Sequence, residues 1–265
     1  MGQQSSVRAL ERGLDIISIL NRYNGLTVTQ VGQLTYLPRP TAFRLLRTLE
    51  SLGYLFRDSQ DKKYRLSAQV RTLSHGYDQE EWIPKVARLI ITELCKKILW
   101  PIALGTVSGS HMLIRDTTDE ISPFAIRRHR GGFNIPLLST ASGAVYLANC
   151  DPHKRDGLID FALAEDPDAL SRSGTNVNLF RRSLESVKAE GYACMRVLEA
   201  NHNALAVPVI VNGEVFATAS ARFYTTAMTL QQVVERYSED MINAADRMGT
   251  GISSWRASLP GAVSH

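Results

Sequence analysis

Apolar residues recur at helical spacing through the first fifty positions of the chain. From Val7 to Leu20 they fall three and four positions apart, and a polar stretch with a glycine, Asn21 to Gly25, follows. Thr27 can cap a short second helix, TVTQVGQL. Pro38 and Pro40 stand where a third helix begins, at positions that tolerate a missing N–H. Three short helices with a tight turn between the last two predict a helix-turn-helix.

The predicted third helix, RPTAFRLLRTLES, has an apolar and a basic side. At about 100° per residue, the apolar side, assigned to the core, carries Ala42, Leu45, Leu46, Leu49 and Leu52. The opposite side carries Pro40, Thr41, Arg44, Arg47, Thr48 and Ser51. Gly53 can end the helix, and two short strands, YLFR and KYRL, follow with the polar turn DSQDK between them. A basic hairpin after a helix-turn-helix predicts a wing that reaches phosphates or a minor groove.

Charge is distributed unevenly along the chain. The net charge is +4, but residues 1 to 66 hold ten Lys and Arg against five Asp and Glu, and the other residues hold 20 against 21. The positive excess therefore lies in the first quarter, as expected when one end of a protein meets a polyanion.

The runs VRALERGLDIISIL, LPRPTAFRLLRTLESLGYLFRD and KYRLS resemble the winged helix-turn-helix of the IclR family of bacterial transcriptional regulators, over nearly all of residues 7 to 67. The resemblance implies a recognition helix from about Pro38 to Leu52 in the major groove of double-stranded DNA. Pro40 departs from the small hydroxyl residue common there, which leaves the start of that helix open. The predicted DNA-binding residues are Arg8, Arg39, Thr41, Phe43, Arg44, Arg47, Arg57, Lys62, Lys63 and Arg65. The alternative for Arg44 and Arg47 is a solvated surface.

Four segments follow from these patterns. Residues 1–66 are predicted to form the winged domain, residues 67–80 a linker helix, residues 81–255 a second domain, and residues 256–265 a flexible tail. Length and hydrophobic content allow two domains of ordinary size.

The second domain alternates helical and strand patterns. A helix is predicted from Trp82 to Leu99, then strands IALGTV, HMLIRDT and PFAIRRH, then a helix of small residues in IPLLSTASGAVYLANC. Residues 151–176 are interpreted as mostly loop and short helix. The pattern continues with a helix from Leu179 to Glu190 and two or three strands in VLEANHNALAVPVIVNGEVFATASARF. It ends with a helix from Thr229 to Met248 and a tail from Gly249 that is loose apart from Trp255. The prediction is an α+β fold in which helices flank an antiparallel, GAF-like sheet.

This half resembles the effector-binding domain of the same family, through PLLSTASGAVYLA, EGYACMR, LAVPV and GEVFATAS. WPIALGT, IRDTT, HRGG and TTAMT are most similar to the subgroup that controls breakdown of aromatic acids such as hydroxyphenylpropionate. The resemblance implies that the effector is held by Phe124, Ile135, Thr140, Ala141, Ser142, Cys194, Ala204, Ser220 and Arg222. No cofactor is expected.

Physical reasoning gives the same site a preference for carboxylates. Thr140, Ala141 and Ser142 are small residues at a helix start, where unpaired N–H groups and the helix dipole favour an anion. Arg222 can pair with a second carboxylate, or it points outwards, since a register slip of one residue reverses faces. Phe124 is either core or a wall for an aromatic ligand. The basic run Arg127 to Arg130 is interpreted as a solvated strand end or as part of the pocket.

Catalysis and metal binding are not indicated. Cys95, Cys150 and Cys194 are far apart, lack C-x-x-C spacing and are interpreted as reduced, packed thiols; the histidines show no H-x-x-x-H spacing. No apolar run approaches the roughly 18 residues of a membrane span, so a cytoplasmic protein is expected.

The hypothesis is a sequence-specific transcriptional regulator that senses a small aromatic carboxylic acid, controls a catabolic operon, and binds a near-palindromic operator as a homodimer or tetramer. One alternative effector is a small aliphatic oxo- or dicarboxylic acid. Two other classes stay open: an enzyme for a small acid with an appended DNA-binding domain, and a constitutive architectural binder.

Overall fold

The computed structural model forms two compact units, Met1–Gln79 and Glu80–His265. The residues that it describes are 7–23, 25–74, 81–125, 131–197 and 201–259. The basic run Arg127 to Arg130, left open above, lies outside the described residues.

The first unit is a helix-turn-helix followed by a hairpin. Its elements are α1 (Arg8–Arg22), α2 (Val28–Leu34), α3 (Arg39–Ser51), β1 (Leu55–Arg57), β2 (Tyr64–Leu66) and a 3₁₀ helix (Ala68–Ser74). Thr27 and Gln30 form a reciprocal capping box that starts α2. Pro38 caps α3 and Pro40 sits in its first turn, so the prolines begin the helix where the sequence placed them.

A small core holds this unit together. Ile16, Val31, Ala42, Leu46 and Tyr64 are completely buried, one or more from each helix and one from the hairpin. The antiparallel hairpin, β1 with β2, is the predicted wing.

Only part of the apolar pattern from Val7 to Leu20 is buried. Ile16 and Leu20 are buried, whereas Val7, Leu10 and Leu14 are 66%, 62% and 53% exposed. The core of the unit reaches only the C-terminal half of α1, so an apolar stripe of three residues remains at its N-terminal half.

The second unit contains six strands and six α-helices among its described residues. In chain order they are α4 (Arg88–Ile98), β3 (Ile102–Ser108), β4 (His111–Thr117), β5 (Phe133–Pro136), α5 (Ala141–Asn149), α6 (Pro152–Glu165), α7 (Ala169–Arg172), α8 (Val177–Glu190), β6 (Ala193–Val197), β7 (His202–Val211), β8 (Glu214–Tyr224) and α9 (Leu230–Ala257). A π-helical segment, Ile83–Ala87, precedes α4.

The strands form one antiparallel sheet in the order β5-β4-β3-β8-β7-β6. Alternate side chains of each strand point to opposite sides of the sheet. Both sides carry apolar side chains, and helices cover both. Leu205, Val207 and Ala219 join the core under α4 and α9, whereas Ala204 and Ala206 join the core under α5 and α8. These two faces are called the α9 face and the α5 face below.

Three predictions for this unit were wrong. Residues 151–176, interpreted as mostly loop and short helix, contain the 14-residue helix α6, which Asp151 caps and Pro152 begins. The tail from Gly249 is helical as far as Ala257. The described part of PFAIRRH, Pro123 to Ala125, is not a strand; the edge strand is β5, in a stretch for which no strand was predicted.

Candidate DNA-binding surface and effector site

Helix α3 presents a basic face because its other face is locked into the core. Ala42 and Leu46 are completely buried, whereas Arg39, Arg44 and Arg47 are exposed on the opposite side. Arg47 forms an exposed ion pair with Glu50 at 3.2 Å. No acidic partner holds the Arg44 guanidinium among the described residues, so this side chain is available to an incoming acceptor.

The remaining predicted residues of α1 and α3 differ in exposure. Arg8 and Phe43 are exposed, Phe43 by 45%, and Thr41 is half-buried. All three therefore present at least part of their surface to a ligand of the first unit, and their contact with DNA stays a prediction.

The four cations of the wing differ in exposure and in their partners. Arg57 and Lys62 are exposed, and Arg57 Nε donates to the Lys62 carbonyl at 3.2 Å. Lys63 is half-buried, with its amine 4.0 Å from an Asp61 oxygen. Arg65 bridges Asp58 at 2.9 Å and Asp61 at 2.7 Å.

Arg65 is thus held by two carboxylates of the wing, and its contact with phosphate stays a prediction. Its hydrogen bonds lower the pKa of Asp61 to about 2. A Cβ at Gly25 would lie 3.0 Å from the Arg65 guanidinium, so the chain before α2 also packs on this side chain. The sequence signal was present, because DSQDKKYR places two aspartates beside the arginine.

In the second unit the strand register decides which predicted effector residues share a face. Ala204 pairs with Arg222 in the β7–β8 ladder, and Ser220 pairs with Ala206 there and with Ala103 on β3. Because cross-strand partners point to the same side, Ala204, Ser220 and Arg222 lie together on the α5 face. Ile135, on β5, packs against the core of the same face.

The start of α5 is fixed by its cap and by one close backbone approach. Thr140 Oγ1 accepts the Gly143 N–H at 3.2 Å and donates to the Pro136 carbonyl at 2.7 Å. A Cβ on Gly143 would come within 1.8 Å of the Leu137 carbonyl oxygen, so only glycine fits. Ala141 and Ser142 are buried. Their N–H groups belong to the first helical turn, where backbone donors have no intrahelical acceptor.

Arg222 already has a carboxylate partner. Its Nη2 donates to Oδ1 of Asp119, which is completely buried in the loop after β4. The Nε atom of Arg222 is buried and has no acceptor among the described residues. The arginine therefore lies on the α5 face with one donor engaged and one free. Asp119 was missed by sequence reasoning, although it lies only two residues after the predicted strand HMLIRDT.

Two predicted effector residues are not at this site. Cys194 pairs with Leu205, whose side chain points to the α9 face, so Cys194 faces away from Ser220. Burial raises its pKa to about 11. Phe124 packs against Trp100, with ring centroids 4.7 Å apart, and lines a cavity of about 540 Å³ with residues of α4 and α9. Neither prediction allowed for the register of β6 or for the turn at Phe124.

Two kinds of feature are missing from the described residues. No three His, Cys, Asp or Glu side chains come together there as a metal site requires. Every helix in the described ranges is too short or too polar to cross a bilayer.

Comparison with known proteins places both units. The profile of the IclR helix-turn-helix domain matches residues 9–59, and that of the bacterial transcriptional regulator IclR C-terminal domain matches residues 75–250. The Pca regulon regulatory protein of Pseudomonas putida is 23% identical over 248 residues, 92% of this chain and 84% of that protein. The HTH-type transcriptional regulator KdgR of Escherichia coli (strain K12) is 25% identical over 236 residues, 88% of each.

A solved structure shares the fold. The crystal structure of an IclR homolog from Microbacterium hydrocarbonoxydans complexed with 4-hydroxybenzoate superimposes with a TM-score of 0.69 at 23% identity, over 93% of this chain and 99% of that one. The predicted fold class is confirmed. The prediction of a regulator and not an enzyme is also confirmed, because the relatives are transcriptional regulators.

Proposed function

Because the chain belongs to the IclR family of DNA-binding bacterial transcriptional regulators, we propose that it controls a catabolic operon in response to a small aromatic carboxylic acid. The observation that carries the effector proposal is the α5 face. It places a buried, unpaired Arg222 Nε on the same side of the sheet as Ser220 and the core against which α5 packs.

The chemistry of this face suits a carboxylate. Arginine donates short, charge-assisted hydrogen bonds to carboxylate oxygens, and the first-turn N–H groups of Ala141 and Ser142 favour the same charge. Ala204 and Ser220, which share this face with Arg222, have small side chains.

Relatives support the aromatic class. One is named for the Pca regulon, and the crystallised homolog is a complex with 4-hydroxybenzoate. A small aliphatic oxo- or dicarboxylic acid is the second candidate. It is favoured by the position of Phe124, which lies among α4 and α9 residues and so provides no aromatic wall on the α5 face.

For DNA, we propose that α3 enters the major groove and that Arg44 reads bases, while the exposed wing cations Arg57 and Lys62 contact phosphate. The exposed apolar stripe of α1 (Val7, Leu10 and Leu14) fits a contact between protomers. A homodimer, or a tetramer built from dimers, would then bind a near-palindromic operator in the cytoplasm.

The test of the effector proposal is a thermal-shift panel of aromatic and aliphatic mono- and dicarboxylic acids on the full chain. We expect an aromatic acid to raise the melting temperature, and Arg222→Ala to abolish that shift. Arg247→Ala is the matched control, because Arg247 forms an exposed ion pair with Glu93 between α4 and α9. If no acid changes the melting temperature, or if Arg222→Ala binds as wild type does, the proposed site is wrong.

A further inference from the structure

A chain of polar contacts begins at Arg222 and leaves the effector face. Asp119 Oδ1 accepts from Arg222 and also from the hydroxyl of Thr117 at 2.5 Å. The Asp119 N–H donates back to the Thr117 hydroxyl at 3.2 Å. Asp119 and Thr117 are buried, so this part of the chain is shielded from water. The hydrogen bonds between Asp119 and Thr117 therefore lie in a low local dielectric, where they are electrostatically stronger than in water.

The same chain continues to the first α-helix of the unit. The Thr117 N–H donates to Asp116 Oδ1 at 2.8 Å. Arg88 Nη1 donates to Asp116 Oδ1 at 2.7 Å and to the Thr117 carbonyl at 2.9 Å. Arg88 is the first residue of α4. One guanidinium on the effector face and one at the start of α4 thus bind adjoining groups of a single short segment, residues 116–119.

A β-bulge in β4 lies directly before this segment. The β3–β4 register shifts between Leu104 and Gly105, so that Leu104 pairs with Asp116 and Gly105 with Ile114, and Arg115 is the extra residue. Bulges re-aim side chains next to functional sites. Here the bulge lies immediately before Asp116, at the end of β4, where the polar chain passes to Arg88.

Arg88 follows directly on the π-helical segment Ile83–Ala87, which contains Pro84. The π form is rare and is found mostly as single turns at functional sites. Its alternative is an α-helical register, in which each N–H bonds the carbonyl four residues back in place of five. This segment is also the first described structure of the second unit after residue 80.

We propose that Asp119, Thr117, Asp116 and Arg88 are positioning residues that couple occupancy of the effector site to the hydrogen-bond register of the π-helical segment. This inference rests on the proposed function, since it takes Arg222 as the carboxylate-binding group. Without effector, Arg222 holds Asp119, and Arg88 holds the segment at residues 116–119 through Asp116.

An effector carboxylate on Arg222 alters this balance for an electrostatic reason. Two carboxylates then share one guanidinium in a largely buried site, so the Arg222–Asp119 hydrogen bond weakens. Asp119 turns towards Thr117. The hydrogen bonds that Arg88 donates to Asp116 and to the Thr117 carbonyl change with it. The π-helical segment is the element with two arrangements that this change biases.

The first arm of the test needs no effector. Hydrogen–deuterium exchange is followed on the full chain in the peptide that covers residues 82–98. Asp119→Asn and Arg222→Gln should each change the exchange rate of this peptide by about 2- to 30-fold, the range for residues within a coupling network. Arg222→Gln is included because Arg222 is partly exposed, so this variant is expected to fold. Arg236→Gln is the control, because Arg236 lies over the Tyr237 ring of its own helix, α9, and it should leave the exchange of this peptide unchanged. Unchanged exchange in both network variants overturns the proposal.

The second arm uses 4-hydroxybenzoate as the probe. Arg88 is connected to Arg222 through Asp116, Thr117 and Asp119. Arg88→Gln should change the dissociation constant of the acid by about 2- to 30-fold, and Arg247→Gln should leave it unchanged. Equal binding by Arg88→Gln and wild type contradicts the coupling. If wild type binds no acid at all, the proposed effector fails, whereas the exchange experiment still decides whether the polar chain controls the π-helical segment.

Discussion

The backbone of α9 at Gly249 lies directly on the backbone of β7 at Ile210. A Cβ at position 249 would come within 2.1 Å of the Ile210 carbonyl oxygen. Met248 and Ile252, on either side of Gly249, are completely buried. The helix can therefore approach the sheet more closely than a residue with a side chain would permit, and it continues to Ala257 despite its glycines.

Gly249→Ala should lower the free energy of unfolding by about 1–3 kcal/mol, because the added methyl group forces α9 away from the sheet. Chemical denaturation of the full chain measures the change. Gly157→Ala is the control: Gly157 is exposed in α6, with no atom within 4 Å of a Cβ, so alanine should stabilise by up to about 1 kcal/mol. A Gly249→Ala variant as stable as wild type would refute the close contact.

This contact also shows where sequence reasoning reached its limit. Glycines at 249 and 251 were interpreted as a loose tail, since glycine disfavours a free helix. Their role depends on β7 and on Val86, which come from distant parts of the chain. By contrast, the capping residue Thr27 and the prolines of α3 act on their own neighbours, and the winged helix-turn-helix could be predicted from them.

The effector face was predictable only in part, for a related reason. Ser220 and Arg222 are two positions apart on one strand, so the two-residue period of a strand predicts that they share a face. Cys194 lies on a separate strand whose register depends on its pairing with Leu205, and a shift of one residue reverses the face. Asp119 reaches Arg222 across 103 positions of sequence, which spacing along the chain does not reveal.

Arg44→Ala should weaken binding to a selected DNA duplex by about 1–3 kcal/mol, with a much smaller loss on random DNA, because a base contact is lost. Arg47→Ala should cost less, since Glu50 already engages that guanidinium. Fluorescence anisotropy on both duplexes measures the losses, with Arg236→Ala in α9 as the control. Equal losses on both DNAs would make Arg44 a phosphate contact only.

The wing should lose stability in acid. The pKa of Asp61 is lowered from 3.8 to about 2, chiefly by the Arg65 hydrogen bond, so its carboxylate stabilises the fold above pH 4. That contribution falls as the pH drops from about 4 towards 2. NMR titration of the Asp61 carboxyl carbon in wild type and Arg65→Gln measures it. A wild-type midpoint near 4, unchanged by Arg65→Gln, would contradict the role given to Arg65.

Cys194 should react slowly with iodoacetamide at neutral pH. Burial raises its pKa to about 11, and the thiolate is the nucleophile, so the labelling rate should still be rising at pH 10. Mass spectrometry of the labelled peptide follows the reaction. Cys194→Ala should also leave acid binding intact, because Cys194 faces α9. Fast labelling at pH 7 would show an activated thiol instead.

The central claim is that acid binding changes DNA binding. Its most direct test is the dissociation constant of the full chain for a duplex enriched from a random library, with and without the acid that stabilises it most. We predict a change of about 5-fold or more, in either direction, as a coupling between two sites requires. An identical dissociation constant with saturating acid would contradict the account.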